Sequence, residues 1–420
     1  MAQGSGKVLE GIFAISKPQS LSSAQVLRDL QHKFAESKIF APLLQESQNM
    51  RQQNNNKRKR HLSNDNIFKM GHGGTLDPLA TGILIVGLGR GTKHLIQFLE
   101  CKKTYETVVL FGKSTTTYDV AGQVVAEAPA DMVTKQVVEE QLANFRGQLK
   151  QIPPIYSAIK IDGMKLYDYA RSGRELPREL ESRGVEVTEC TLLDFYEAGQ
   201  HDFRYPAEQA SEEEKMTANK LMQGAEATKK LLAEQAPKSV APKVAHEENC
   251  LPRDQKAALH THPLPTQEAE PAQAPAARIR LTVSSGFYVR SFAHDLGISC
   301  GSLGTMAALS RSSQAEYTIA DPAPEGFTTA LTMDDMEAGE DVWAPKISAM
   351  LEPWLESTPP TETPNDRNFP RHFDGRRGGM GGRGAQYRGK GSKRSWSEGG
   401  RDHEYTPKRA RRRNSSSPEV

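Results

Sequence analysis

Gly71-His72-Gly73-Gly74-Thr75-Leu76-Asp77-Pro78-Leu79-Ala80-Thr81-Gly82-Ile83-Leu84-Ile85 is the stretch that decides how this chain reads. Four glycines, two threonines and one acid stand directly against an apolar run, which holds a carboxylate on a tight, glycine-bounded turn where another molecule can come close. That is the pattern of an active-site loop. On turn chemistry alone, an Asp in such a place more often bonds its own backbone, so the decision rests on other segments.

Three of them do decide. Gly11-Ile12-Phe13-Ala14-Ile15-Ser16-Lys17-Pro18 reads as a strand ending in Lys-Pro, followed by Ser22 or Ser23 as a helix cap. Lys103-Thr104-Tyr105 supplies a K-x-Y element, and Gly286-Phe287-Tyr288-Val289-Arg290 a G-x-Y-[IV]-R element. In this order they resemble the motifs of TruB-type tRNA pseudouridine synthases, whose catalytic loop has the form GHxGTLDPxATGxL with every specified position filled here. Gln151-Ile152-Pro153-Pro154 through Lys160, and Leu166-Tyr167-Asp168-Tyr169-Ala170-Arg171, are similar to two further family segments.

The resemblance implies a fold, a chemistry and a set of residues. The fold class is α+β, the pseudouridine synthase catalytic fold: a mixed, mainly antiparallel central sheet flanked by helices. The activity is isomerisation of uridine to pseudouridine in the T loop of tRNA, position 55, by base flipping and an Asp-dependent exchange of a C–N for a C–C glycosidic bond. Asp77 matches the catalytic carboxylate, as nucleophile or as base. Arg290 matches the arginine that pairs with it, where a cation favours a charged carboxylate. Tyr105 matches the tyrosine that stacks on the flipped uracil, and His72 the histidine that fills the space a flipped base leaves. Tyr288 and Leu309 match residues of the uracil pocket. Lys17 occupies the first motif's lysine position, counted with the pocket but best suited to supporting the catalytic loop. No metal and no cofactor is implied.

Composition sets the frame. Of 420 residues only 37% are hydrophobic, with 25 prolines and 34 glycines, which suits one globular domain carrying disordered insertions. Cys101, Cys190, Cys250 and Cys300 are too widely spaced for a zinc site or a disulfide framework and read as reduced thiols. No apolar run is long enough to span a membrane. The residues before the first motif read as neither a signal peptide nor a mitochondrial presequence.

The expected domain is residues 8–322. Within it, 38–68 is a polar insertion with the basic cluster Lys57-Arg58-Lys59-Arg60, and 200–275 a low-complexity acidic insertion. Deleting the second would rejoin two strand-like runs, Val185–Leu193 and Arg278–Val283, the latter alternating Ile279, Leu281 and Val283 with polar neighbours. Val137, Val138 and Leu142 have helical spacing behind a Thr134 cap. Gly87-Leu88-Gly89-Arg90-Gly91 imitates a nucleotide loop but lacks the flanking βαβ unit. Residues 323–355 read as a C-terminal extension in which the PUA domain of bacterial members is not recognised.

Residues 356–420 read as a disordered basic tail. From 367 onward it holds fifteen Lys or Arg against five Asp or Glu, a net +10, leaving −8 for the rest of a chain whose net charge is +2. Arg376-Arg377-Gly378-Gly379, Gly382-Arg383-Gly384 and Arg388-Gly389 resemble RGG segments, which bind nucleic acid through phosphates and stacking. Lys408-Arg409-Ala410-Arg411-Arg412-Arg413 suits nuclear import, so the nucleus, with the cytoplasm second, is the expected location. The expected partner is the T arm of tRNA, with mRNAs a further substrate class left open; a monomer without an obligate protein partner is favoured. Two readings compete: a guide-RNA-dependent, dyskerin-like rRNA enzyme, and a tRNA-folding factor with incidental catalysis.

Overall fold

The structure is a computed structural model describing residues 7–54, 67–172, 174, 176–178, 180–212, 215 and 270–359. Its first strand, β1 (Gly11–Lys17), is buried at every position but Ser16, as an unbroken apolar run requires. It pairs antiparallel with β3 (Thr81–Leu88), Ile15 opposite Leu84. Thr81 at the start of β3 joins β12 (Gly304–Gln314) through a short parallel contact with Ser310. From there the pairing is antiparallel: β12 to β4 (Lys103–Phe111), then β11 (Ala276–Val283), β10 (Arg183–Tyr196) and β7 (Gly147–Gln151). With β2 (Met70–His72) on β3, and β13 (Tyr317–Thr318) and β14 (Thr328–Thr329) beyond β12, the sheet has ten strands among the described residues. Two hairpins stand apart: β5 (Lys113–Thr115) with β6 (Val124–Glu127), and β8 (Lys160–Ile161) with β9 (Met164–Lys165). The mixed, mainly antiparallel sheet of the expected α+β class is therefore present.

Helices cover the sheet. α1 (Ser23–Ala35) is capped by Ser22, whose hydroxyl accepts from the Gln25 amide, and buries Val26, Leu30 and Phe34. α2 (Ala41–Asn54) follows, and α3 (Leu95–Glu100) packs under β2. α4 (Lys135–Leu142) starts at Thr134, as its spacing predicts, with Val138 and Leu142 buried. α5 (Leu166–Arg171) follows β9, α6 (Val289–Ser299) lies against β12 and β4, and α7 (Met333–Ala338) leads into α8 (Glu340–Ser357). In β11, Ile279, Leu281 and Val283 are buried, while Arg278 and Arg280 both reach the Glu106 carboxylate. The glycine run after β3 is a packing device: a Cβ on Gly91 would stand 1.9 Å from the Gly11 carbonyl oxygen.

Three expected boundaries are corrected. Within the expected 38–68 insertion the first residues pack inward: Phe40 and Leu43 are buried, and Phe40 stacks on Trp343 at 6.2 Å. Phe68, at the other end of that segment, is also in the core. The Gln and Asn residues between these anchors had masked them. Residues 323–355, expected as a C-terminal extension, pack on the catalytic domain: Leu331 exchanges hydrogen bonds with Ala14 and Ser16 of β1, and Trp343, Ile347 and Leu351 join the same core. The ends of the 200–275 segment also fold: Ala272 and Ala210 are buried, Phe203 and Tyr205 pack on the sheet, and β10 and β11 pair directly. Residues 216–269, the basic cluster at 57–60 and all of the tail beyond 359 lie outside the described residues.

Candidate active site

The loop between β2 and β3 carries Asp77, and its backbone is held from several sides. Lys17, fully buried, donates to the carbonyls of Pro18 and Leu21 at 2.7 Å and Pro78 at 3.2 Å. The Ser23 hydroxyl accepts from the Leu76 amide at 2.9 Å and donates to the Leu76 carbonyl at 3.1 Å. Arg311, 1% exposed, donates to Ile83 and Gly74 carbonyls at 2.7 and 3.1 Å, and Gln314 donates to that of Gly73 at 2.7 Å. Gly74 and Gly82 take φ of +128° and +94°, and a Cβ on Gly82 would collide with the Arg311 carbonyl at 2.2 Å. Glycine is needed at both positions for the positive φ, and at Gly82 also because the Arg311 backbone passes at close range.

Arg290, in the first turn of α6, reaches this loop. Its Nε stands 2.9 Å from Asp77 Oδ2 and its Nη2 3.3 Å from Oδ1, a two-point contact. The guanidinium also donates to the carbonyls of Tyr156 at 2.9 Å and Thr117 at 3.2 Å. Gln151 fixes the start of α6, accepting from the Tyr288 amide and donating to its carbonyl. The Asp77 side chain is 35% exposed against 8% for Arg290, so the carboxylate has an open side and a buried counter-ion.

A second carboxylate belongs to the site. Asp119 is buried, accepts from the Thr117 hydroxyl at 2.6 Å and the Ala121 amide at 3.0 Å, and lies 3.7 Å from Arg290 Nε. Burial raises its pKa, with Arg290 and the Thr117 bond opposing and Asp77 reinforcing the rise. Burial likewise lowers Lys17 to about 8, opposed by the Asp77 charge and reinforced by Arg311. His72 is also lowered, by burial and then by Arg311. Its Nδ1 is buried with no hydrogen-bond partner among the described residues.

Of the remaining expected residues, two pack against the Asp77 loop. Tyr105 and Leu309 share one hydrophobic cluster with Leu76 and Leu79 of the loop, and Tyr105 lies opposite Arg311 across β4 and β12. Tyr288 caps α6 two residues before Arg290. His72 is on β2 opposite Val86. Sequence reasoning missed Asp119 and Arg311, the latter in an ordinary-looking strand. The three consecutive threonines before Tyr118-Asp119 were the available signal: hydroxyls beside an acid can solvate it when it is buried.

The N-terminal-domain family model of the TruB family pseudouridylate synthases matches residues 59–211. The tRNA pseudouridine synthase 4 of Schizosaccharomyces pombe is 36% identical over 329 residues, spanning 74% of this chain and 80% of that one. The chain belongs to the TruB family. The tRNA pseudouridine synthase 4 of Saccharomyces cerevisiae is 34% identical over 357 residues, spanning 82% of this chain and 85% of that one. Pseudouridylate synthase TRUB1 of Mus musculus is 38% identical over 188 residues, 44% of this chain and 51% of that one. In this TruB-family chain the matched segment 59–211 carries Asp77 and Asp119, whereas Arg290 and Arg311 come from the far side of the 200–275 segment, Arg290 on α6 and Arg311 on β12, which pairs with β4 and β3.

Proposed function

We propose that this TruB-family chain isomerises uridine to pseudouridine in tRNA, at the T-loop uridine of position 55, without a guide RNA. The observation that carries the proposal is the Asp77 carboxylate, open on one side and held at two points by Arg290 on a loop clamped by Lys17, Ser23, Arg311 and Gln314. In the reaction the C1′–N1 bond breaks, the uracil turns, and C1′ bonds to C5. The proton leaves C5 and one is gained at N1, so there is no redox change and no net hydrolysis. A single carboxylate beside C1′ and C2′ serves this chemistry, as nucleophile at C1′ or as base at C2′. Arg290 holds the Asp77 oxygens in a fixed direction without movement during the reaction. Tyr105, Leu309 and Leu76 form an apolar wall for the extruded base, Tyr288 is the further pocket residue of the proposal, and His72 enters the space left in the RNA.

The relatives named tRNA pseudouridine synthase 4, matched over most of their length, support tRNA as the substrate. Messenger RNAs remain a secondary substrate class of the proposal, and the Lys408–Arg413 cluster supports a nuclear location. The test is incubation of the purified protein with unmodified tRNA and no guide, followed by mapping of pseudouridine by position. The expected product carries pseudouridine at position 55, and Asp77→Asn yields none while still binding tRNA. Dependence on an added guide RNA, or substantial turnover by Asp77→Asn, overturns the proposal.

A further inference from the structure

The segment Thr115–Gln123 brings both Asp119 and the Thr117 carbonyl to Arg290, and its conformation is unusual at one residue. Tyr118 takes φ of +64°, the left-handed region that an aromatic side chain adopts only when its surroundings impose it. The surroundings are visible. The Tyr118 carbonyl accepts from the Met306 amide at 3.0 Å, and the Tyr118 amide donates to the Thr115 carbonyl at 3.2 Å. The ring lies flat on the imidazole of His294, centroids 4.2 Å apart and planes 15° from parallel. His294 is buried in α6, four residues and about one helical turn after Arg290. One helix therefore carries the arginine and the platform that fixes the segment answering to that arginine.

We infer that Tyr118 and His294 are positioning residues for the isomerisation: their stack holds the Thr117 carbonyl and the Asp119 carboxylate against Arg290, and through Arg290 sets the direction of Asp77. Neither ring is assigned contact with substrate. The geometry explains why the strain is placed here. A left-handed residue between Thr117 and Asp119 reverses the chain so that the Thr117 carbonyl and the Asp119 side chain both face the guanidinium, at 3.2 and 3.7 Å. Without the stack, relaxation of Tyr118 toward negative φ would turn one of them away.

The inference rests on the pseudouridine synthase reading of the site, and the experiment separates the two. Single-turnover and steady-state rates on unmodified tRNA are measured for the wild-type full chain, Tyr118→Gly, Tyr118→Phe, His294→Ala and the Tyr118→Gly/His294→Ala double variant, with tRNA affinity and melting temperature alongside. Glycine tolerates the left-handed conformation but removes the ring, so it tests the stack and not the backbone. The expected result is a loss of about 10-fold or more in kcat for Tyr118→Gly and for His294→Ala, with tRNA affinity within about twofold of wild type. Tyr118→Phe recovers most of the rate, and the double variant is no slower than the worse single one, as for residues acting as a unit. Wild-type kcat in Tyr118→Gly, or fully multiplicative losses in the double variant, overturns the inference while leaving the activity standing. If His294→Ala fails to fold, Tyr118→Gly and Tyr118→Phe decide alone. Absence of turnover by the wild-type chain rejects the functional reading instead.

Discussion

Asp119 Oδ2 lies 3.7 Å from Arg290 Nε, the same nitrogen that meets Asp77 Oδ2 at 2.9 Å. One guanidinium thus stands between an open carboxylate and a buried one. The buried partner anchors the arginine from behind, so the two-point contact with Asp77 does not depend on Asp77 alone. Asp119→Asn keeps the acceptor for Thr117 and Ala121 but presents an amide to the guanidinium or loses one of those bonds. The expected outcome is a fall in kcat of about 10-fold or more with tRNA binding retained. Because the folded state raises the Asp119 pKa, wild-type stability relative to the variant should decline as pH rises through the carboxylate range. A pH series of denaturant melts and rates checks both signs, and an unchanged rate in the variant counts against the anchoring role.

Arg290→Lys retains a charge but cannot meet Asp77 at two points while also reaching the Tyr156 and Thr117 carbonyls. Loss of the planar fork should lower the rate by on the order of 10²-fold or more, with a weaker effect on tRNA affinity. Steady-state kinetics on unmodified tRNA decides it; near wild-type turnover would show that the bidentate geometry is dispensable.

Local elements were legible wherever pattern and capping agreed. Ser22 and Thr134 cap the helices their spacing announces, and the alternation of Ile279, Leu281 and Val283 gave both the strand and its buried face. Asp77 and Arg290 were legible through contiguous motifs, and the structure puts them in contact. Asp119 was not, because its meaning arises from a segment folded against α6 far away in sequence. Arg311 was hidden similarly, since a strand pattern does not reveal that a buried cation is satisfied by carbonyls of a loop more than 200 residues earlier. The misjudged boundaries share one cause. Phe40 and Trp343 are isolated apolar residues in polar or mixed stretches, and only their meeting, with Phe34 between them, makes them core.

That meeting gives a stability prediction. Trp343 is buried, with its ring 5.5 Å from that of Phe34 and 6.2 Å from that of Phe40. Trp343→Ala should cost about 3–5 kcal/mol, the range for emptying a large aromatic site in a core. Chemical denaturation measures it. A cost under about 1 kcal/mol would show that Trp343 does not hold helix α8 to the core.

The basic tail, beyond the described residues, makes its prediction from charge alone. Neutralising phosphates releases counterions, so a +10 arm that touches RNA raises both affinity and its steepness in salt. Truncation after residue 359 should weaken tRNA binding most at low salt and flatten log affinity against log salt, without changing the modified position. Equal affinity and slope in the truncated protein would leave the tail's basic cluster to nuclear import.

Lys17 supplies a pH dependence with opposite signs for activity and stability. Its ammonium group, fully buried, uses three donors on three carbonyls, including that of Pro78 next to Asp77. A neutral amine has only two. With its pKa lowered by burial to about 8, raising the pH through that value removes one donor and frees one carbonyl at the base of the loop. The rate should therefore fall above about pH 8. Stability linkage runs the other way: between the folded value near 8 and the ordinary value of 10.5, the unfolded chain binds more protons, so this group's contribution to stability grows as pH rises. Lys17→Met removes the titration and leaves buried carbonyls unpaired, at a cost of about 1–3 kcal/mol for each such group. The check is a pair of pH profiles, kcat and unfolding free energy, for the wild type and Lys17→Met. The difference in stability should widen in favour of the wild type between about pH 8 and 10.5, while the wild-type rate declines over the same interval; a flat wild-type rate there would show that the third donor does not hold the loop.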